Sequence, residues 1–386
     1  MSRRPRVLLA ITVFNGADVV PTCLRSAATL RDETCDLSVL ILDDASPLPG
    51  FSASIRELCT ELGFGYYRSP RNLGIPRNVN LGLLWALHGG YDHVLIANSD
   101  LIFSEGVVDQ FLAVLATDDK IGSVTAWSNN VSIYSLQNQA PERFLADQDS
   151  VNWLALTIRR EFGDAAVDIP AGISFCICIP TAVLRVVGLM DPVYGRGYCE
   201  ETDWSLRSKS LGYRVTLSPS AFVYHRGGGS TVAAGLIGEG HRTVPANELI
   251  VDFRYPLFRS QVDAYSLSEI PDLLAGNALR RIFREAAREQ GYELTVGHAR
   301  SPEAGAVMPL VCLEPHDGEL RAIGLYRGFE ADLAASGPAV VRWVIDGIGR
   351  DPEVIRVYDR RIAAQTPGLL PGDRGVVGEV VYPPRV

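Results

Sequence analysis

The sequence predicts an α/β protein: a mostly parallel sheet flanked by helices, followed by a small β-rich domain. Three observations predict it. From Arg6 to Ala97, short apolar strands alternate with segments of helical periodicity, the pattern of a parallel sheet covered on both faces. The principal strands there end in polar clusters: Thr12–Asn15, Asp43–Ser46 and Asn98–Asp100. Beyond Tyr292 the texture changes to short apolar runs between Pro- and Gly-rich turns.

At 386 residues the chain has room for two domains of roughly 100–200 residues. The expected boundaries are a catalytic domain over 1–265, a helical linker over 266–291 and a β-rich accessory domain over 292–386. An apolar content of 47% supports a sizeable core, and no apolar run approaches the ~18 residues of a membrane span. Basic residues ahead of Val7–Phe14 imitate a secretory leader. No small-residue cleavage pattern follows Asn15-Gly16, so the run reads as the first strand. A net charge of −9 argues against nucleic acid as the main partner. It also means that an anionic substrate needs a metal or a local basic pocket. Seven cysteines, an odd number with no C-x-x-C pair, read as reduced, mostly buried thiols of a cytoplasmic protein.

Taken in order, Arg6–Val13 is a strand and Gly16–Leu30 a helix, with Val19, Val20, Cys23, Leu24 and Ala27 on one face. Leu37–Leu42 is a strand, Ser54–Leu62 a helix and Phe64–Arg68 a strand. A helix opens in Asn72–Gly82 and runs to His88, and Asp92–Ala97 is the next strand. A helix begins near Glu105, and Val151–Phe162 is helical within a looser region. Ile169–Ile179 reads as one strand, Thr181–Val187 as a short helix, and Glu201–Gly212 as a helix. Arg214–Leu217 and Ala221–Tyr224 read as two short strands. Gly227–Gly240, with six glycines and few anchors, reads as a lid or a linker. Ser268–Gly291 reads as a helix whose Arg280, Arg281, Arg284 and Arg288 face anionic lipid or solvent. Ala306–Leu313, Val340–Ile345, Val354–Tyr358 and Gly375–Tyr382 are expected strands.

In such sheets ligands sit outside the carboxyl ends of the strands, so the three polar clusters converge on one crevice. Asn98 and Asp100, two apart, can aim oxygens at one hard divalent cation, or Asn98-Ser99-Asp100 is a turn capping the next helix. Asp43 can accept the imide N–H of uracil or thymine, or it closes a turn before Pro47. In Glu200-Glu201-Thr202-Asp203, three acids sit in four residues, denser than favourable interaction with a helix N-terminus requires. Glu201 and Asp203 face different sides of a helix, so one of them at most meets a reacting atom. His225, at a strand end before Gly227-Gly228-Gly229, is a candidate metal ligand or a structural histidine.

These stretches, with the Asn72/Gly74/Asn80/Gly82 spacing, occur in the order seen in inverting glycosyltransferases of family 2, which have the GT-A fold. Gly195–Arg207 and Tyr224–Ser230 especially resemble bacterial enzymes that build O-antigen and other surface polysaccharides. The resemblance covers about residues 5–230 and says nothing of the last hundred or so. It implies that Thr12, Phe14 and Asp43 line the base and ribose of a UDP- or dTDP-sugar. Asn15, Asp44, Asn72, Arg77, Asn80, Asn98 and Ser99 would complete the donor site. Asp100 would be the main ligand of Mn2+ or Mg2+, joined by His225. Glu201 would be the catalytic base, with Asp203 the next candidate. This sequence departs from the family pattern twice: Asn98 and Glu201 each stand where Asp is commoner. The implied acceptor is a hydroxyl of a glycan or lipid-linked glycan. The implied location is cytoplasmic, with peripheral contact at the inner membrane face, and a homo-oligomer stays open. Two other classes compete. One is a catalytically weak GT-A protein that only binds carbohydrate or nucleotide. The other is a nucleotidyltransferase, which needs a Gly- and Lys/Arg-rich loop that Asn15-Gly16-Ala17-Asp18 does not supply.

Overall fold

The computed structural model describes residues 3–30, 34–131, 133–136, 147–227, 244–297, 305–337, 339–358 and 379–381. The chain divides into two compact units, residues 1–138 with 145–271, and residues 272–386 with 139–144.

The first unit is built on a nine-stranded sheet in the order β3-β2-β1-β4-β8-β6-β9-β5, with β7 beside β9. The strands are β1 (Arg6–Val13), β2 (Asp36–Asp43), β3 (Gly65–Arg68), β4 (His93–Asn98), β5 (Leu101–Phe103), β6 (Ile121–Trp127), β7 (Val167–Asp168), β8 (Cys176–Pro180) and β9 (Arg214–His225). The helices between them are α1 (Val20–Ala28), α2 (Phe51–Leu62), α3 (Ile75–His88), α4 (Val107–Leu115), α5 (Gln148–Phe162), α6 (Thr181–Val187) and α7 (Glu200–Ser210). Two more, α8 (Pro245–Arg254) and α9 (Phe258–Ser266), follow β9.

β1, β2, β3 and β4 are parallel, and their alternating side chains feed one core on each face. That is why these strands read as near-continuous apolar runs. Because β1 lies between β2 and β4, the strand order reverses there, and a crevice opens at their carboxyl ends. The register sets Val13 beside Asp43 and Thr12 beside Asn98.

The expected strand Ile169–Ile179 shortens to β8, which runs antiparallel to β4. Pro170, lacking an N–H, and Gly172, wedged against Ile177 and Thr125, interrupt the run. The two strands expected at 214–224 are one strand, β9. A register irregularity against β6 between Ala126 and Trp127 absorbs Pro219.

The second unit has α10 (Ile270–Gln290) and α11 (Val340–Ile348), with a six-stranded sheet ordered β13-β12-β11-β10-β14-β15. Its strands are β10 (Glu293–Val296), β11 (Leu310–His316), β12 (Glu319–Tyr326), β13 (Phe329–Ser336), β14 (Val354–Val357) and β15 (Glu379–Val381). Val340–Ile345, expected as a strand, is helical. Val340, Val341, Val344 and Ile348 are its buried stripe, and Arg342 pairs with Asp346 one turn on. The arginine face of α10 binds its own unit: Arg280 and Arg284 reach the carbonyls of Asp332 and Leu333, and Arg288 reaches that of Ile348. Among the described residues no helix is long and apolar enough to cross a membrane.

Candidate active site

The triplet Asn98-Ser99-Asp100 joins β4 to β5, and β5 pairs antiparallel with the end of β9. Leu101 is in register with His225, so the ladder itself delivers His225 to Asp100. The Arg226 N–H closes the pairing on the Asp100 carbonyl at 3.0 Å. His225 Nε2 stands 3.4 Å from Asp100 Oδ1. Burial alone would push the imidazole down and the carboxyl up. Their mutual contact outweighs it, holding His225 above its ordinary value and Asp100 below. The Asn129 amide brackets the His225 backbone, and His225 Nδ1 lies 2.7 Å from the Asn130 carbonyl. A carbonyl only accepts, so Nδ1 carries a proton in either charge state, and Nε2 is the nitrogen that a metal would take once it is deprotonated.

An imidazole nitrogen, a carboxylate and the half-buried Asn98 are donors that suit Mn2+ or Mg2+. Among the described residues no cluster of three or more His, Cys, Asp or Glu is assembled. The donor set therefore fits a cation that takes its remaining ligands from water and substrate phosphates.

At the neighbouring strand ends, Asn15 donates its N–H to Ser46 Oγ and accepts from the Leu48 N–H. Thr12 Oγ1 donates to the Ala97 carbonyl at 3.4 Å, and Phe14 follows half-buried. Asp43 is a correction. It is fully buried, and its carboxylate accepts from the Ser46 N–H at 2.9 Å, the Ser52 hydroxyl at 2.6 Å and the Tyr66 hydroxyl at 2.7 Å. Burial pushes its pKa up, but these donors outweigh it and hold the carboxyl low. These partners tie β2 to α2 and β3 through Asp43.

Asp44 accepts the N–H groups of Leu73 and Gly74 at 2.7 and 3.0 Å, and burial raises its pKa. Asn72 also accepts from Gly74. Gly74 has a φ of 79°, and a Cβ there would lie 2.4 Å from the Gly195 carbonyl oxygen. The Ile75 N–H donates to the Arg196 carbonyl. The end of β2, the start of α3 and the loop before α7 thus meet. Arg77 stands exposed on the first turn of α3. Asn80 is a second correction: its amide forms both hydrogen bonds of the Met190 backbone and braces a loop rather than facing the crevice.

The loop before α7 is backbone-strained. Gly195, Gly197, Tyr198 and Cys199 all have positive φ, 63°, 136°, 73° and 75°. For Tyr198 and Cys199 that costs roughly 1–2 kcal/mol each. The loop delivers Glu200 and Glu201 to the N-terminus of α7. Their carboxyls hydrogen-bond to each other, and each has an Oε2 shielded from solvent with no partner. Burial, then mutual repulsion, raises Glu200 well above the ordinary carboxyl range. Burial raises Glu201 as well. One proton is therefore shared between them.

Asp203 is the third correction. It is fully buried and accepts from Arg207 Nε at 2.8 Å, Arg254 Nη1 at 2.8 Å and the hydroxyls of Tyr255 and Tyr194 at 2.9 and 3.3 Å. A carboxylate so engaged, paired with two arginines, anchors α7. Arg254, Tyr255 and Asn247 belong to a segment that carries no motif in the sequence. Only the N-cap preference of Pro245-Ala246-Asn247-Glu248 for a helix start signals it. The glycine-rich stretch expected as a lid lies, from residue 228, outside the described residues.

Residues 9–175 match the family model of glycosyl transferase family 2. Among curated proteins, the undecaprenyl-phosphate mannosyltransferase of Micrococcus luteus is 27% identical over 236 residues, 61% of this chain and 90% of that one. Among solved structures, the mannosyltransferase PcManGT from Pyrobaculum calidifontis, with GDP-Man and Mn2+, is 16% identical at a TM-score of 0.45, covering 75% of this chain and 77% of that one. GalNAc-T7 with UDP, GalNAc and Mn2+ is 12% identical, also at 0.45. The match covers 57% of this chain and 44% of the GalNAc-T7 chain. At these scores the structural likenesses carry no residue role across.

Proposed function

We propose that this chain is a glycosyltransferase that moves a sugar from a UDP- or dTDP-sugar to an acceptor hydroxyl, with inversion; the match of residues 9–175 to the family 2 model supports it. The observation that carries the reading is the Glu200–Glu201 pair: a carboxylate oxygen shielded from water, unpartnered, at the start of α7 behind a loop packed against α3.

Glu201 takes the proton of the acceptor hydroxyl as that oxygen attacks the anomeric carbon opposite the leaving diphosphate. A positioned base contributes roughly 10²–10⁴-fold. Glu200, which holds the shared proton, keeps Glu201 oriented and ionised. One displacement inverts the anomeric centre, so an α-linked donor gives a β-linkage. Asp100 and His225, with Asn98 beside them, would hold a Mn2+ or Mg2+ ion. When bound, that ion neutralises charge on the leaving diphosphate. Arg77, exposed at the start of α3, is placed for the same anion. Asp43 and Asp203 hold the walls of the site rather than touching substrate.

A lipid-linked glycan is the acceptor class we favour, in the making of a surface polysaccharide. The Micrococcus luteus relative, named for a polyprenyl phosphate, supports it. Such an acceptor places the enzyme at a membrane face through peripheral contact. The test is a thermal-shift panel of nucleotide sugars with and without Mn2+, followed by a transfer assay with the donor that binds. A bound donor raises the melting temperature by mass action. Stabilisation by one nucleotide class together with transfer is expected. Binding with neither transfer nor donor hydrolysis would reduce the chain to a binding protein.

A further inference from the structure

We propose that Asn247 is a positioning residue for the Glu200–Glu201 pair, its side-chain amide holding the strained turn ahead of α7 in the shape that presents both carboxyls. The inference rests on the reading of Glu201 as the base. Asn247 lies on α8, about 50 residues after the turn, and is buried. Its Nδ2 donates to three carbonyls of that turn: Gly197 at 2.8 Å, Tyr198 at 2.9 Å and Tyr194 at 3.0 Å. An amide nitrogen has two hydrogens, so three carbonyls share them.

Those carbonyls converge on one donor because the backbone turns through consecutive positive-φ residues, Gly197, Tyr198 and Cys199. Tyr198 and Cys199 would leave that conformation if released, since strain of this kind persists only where surroundings over-determine it. Steric fit supplies part of the constraint, for a Cβ at Gly197 would lie 2.7 Å from Ile75 Cδ1. Asn247 supplies a polar part, since its Nδ2 is shared among the Tyr194, Gly197 and Tyr198 carbonyls.

The same helix grips the acid segment again at its last residue. Arg254 Nη1 lies 2.8 Å from both Asp203 Oδ1 and Asp191 Oδ2. Asn247 and Arg254 therefore hold the residues on either side of Glu200 and Glu201, and neither needs to touch substrate. A displacement of about 1 Å at a reacting group lowers the rate about 100-fold, which is the scale on which such a clamp acts.

The test uses the full chain with Asn247→Ala, and Asn247→Asp, which keeps the shape but offers no donor. Hydrogen exchange over residues 195–203 should accelerate at least about 10-fold, while the segments carrying Asp100 and His225 stay protected. Donor KM should stay within about 2-fold while kcat falls about 100-fold, and the acid limb of the pH profile should move. Cys199→Gly, which removes the cost of positive φ, should return about 10-fold of the lost kcat in the Asn247→Ala background. Unchanged exchange at 195–203 in the folded variant overturns the clamp, whatever the activity. Lost protection with unchanged kcat overturns the positioning role. If the wild-type chain transfers no sugar, the glycosyltransferase reading fails on its own, and exchange still decides the clamp. Should Asn247→Ala not fold, Asn247→Ser, with a shorter donor, carries the same measurements.

Discussion

His225 Nε2 lies 3.4 Å from Asp100 Oδ1 because Leu101 and His225 are directly paired across β5 and β9. A ladder contact thus joins two residues 125 positions apart (225 − 100) into one polar pair. The pair is suited to a divalent cation beside a diphosphate. Asp100→Ala should weaken UDP binding in the presence of Mn2+ about 10- to 100-fold, the usual range for disrupting a metal shell. Calorimetry with UDP, with and without Mn2+, checks it. Equal affinity for the variant and the wild type would remove Asp100 from the donor site.

Asp203 should prove to be an anchor. Asp203→Asn leaves Arg207, only partly exposed, without its carboxylate and Arg254 with Asp191 alone. The cost should be about 3 kcal/mol, the low end for breaking a buried ion pair. Urea denaturation measures it. Assayed well below its lowered melting temperature, the variant should keep transfer within about 10-fold, less than the loss of a general base entails.

Asp43→Ala should also act on stability. It strands the Ser46 N–H and the hydroxyls of Ser52 and Tyr66, at a cost of about 2 kcal/mol. The Asp43 pKa is lowered on folding, so its contribution is present above the unfolded value of 3.8 and fades as pH falls through the folded one. Selectivity between nucleobases should not change, which a competition assay with UDP, dTDP and GDP reads.

The Glu200–Glu201 pair sets the acid limb of the pH profile. Both carboxyls titrate above the ordinary carboxyl value of 4.5, so transfer should fall as pH drops through that raised range. Glu200→Gln replaces the carboxyl donor that lowers the Glu201 pKa with a weaker amide donor, and the limb should move up. Stability runs the other way. A carboxyl whose folded pKa is raised stabilises the fold below 4.5 and loses that contribution as pH rises through the folded value. Glu200→Gln should therefore gain stability relative to wild type as pH increases. Thermal melts across pH 4–9 check the sign.

The parallel half of the catalytic sheet is legible in the sequence because its strands are buried on both faces and end in polar clusters. The register that joins Asp100 to His225 is not, since pairing between β5 and β9 leaves no local periodicity. Side-chain roles are less legible still. Asp43, Asn80 and Asp203 carry residue types that suit ligand binding, yet their partners are Tyr66, Met190 and Arg254, 23, 110 and 51 positions away. Val340–Ile348 misleads for a different reason. Its β-branched residues favour a strand, and only burial of a stripe spaced three and four apart reveals the helix.

The claim that Glu201 is the base is tested most directly by Glu201→Gln, with donor affinity from calorimetry and transfer rate from a coupled assay. The expected result is unchanged donor affinity with transfer reduced about 10²–10⁴-fold. Wild-type transfer by Glu201→Gln would contradict the account.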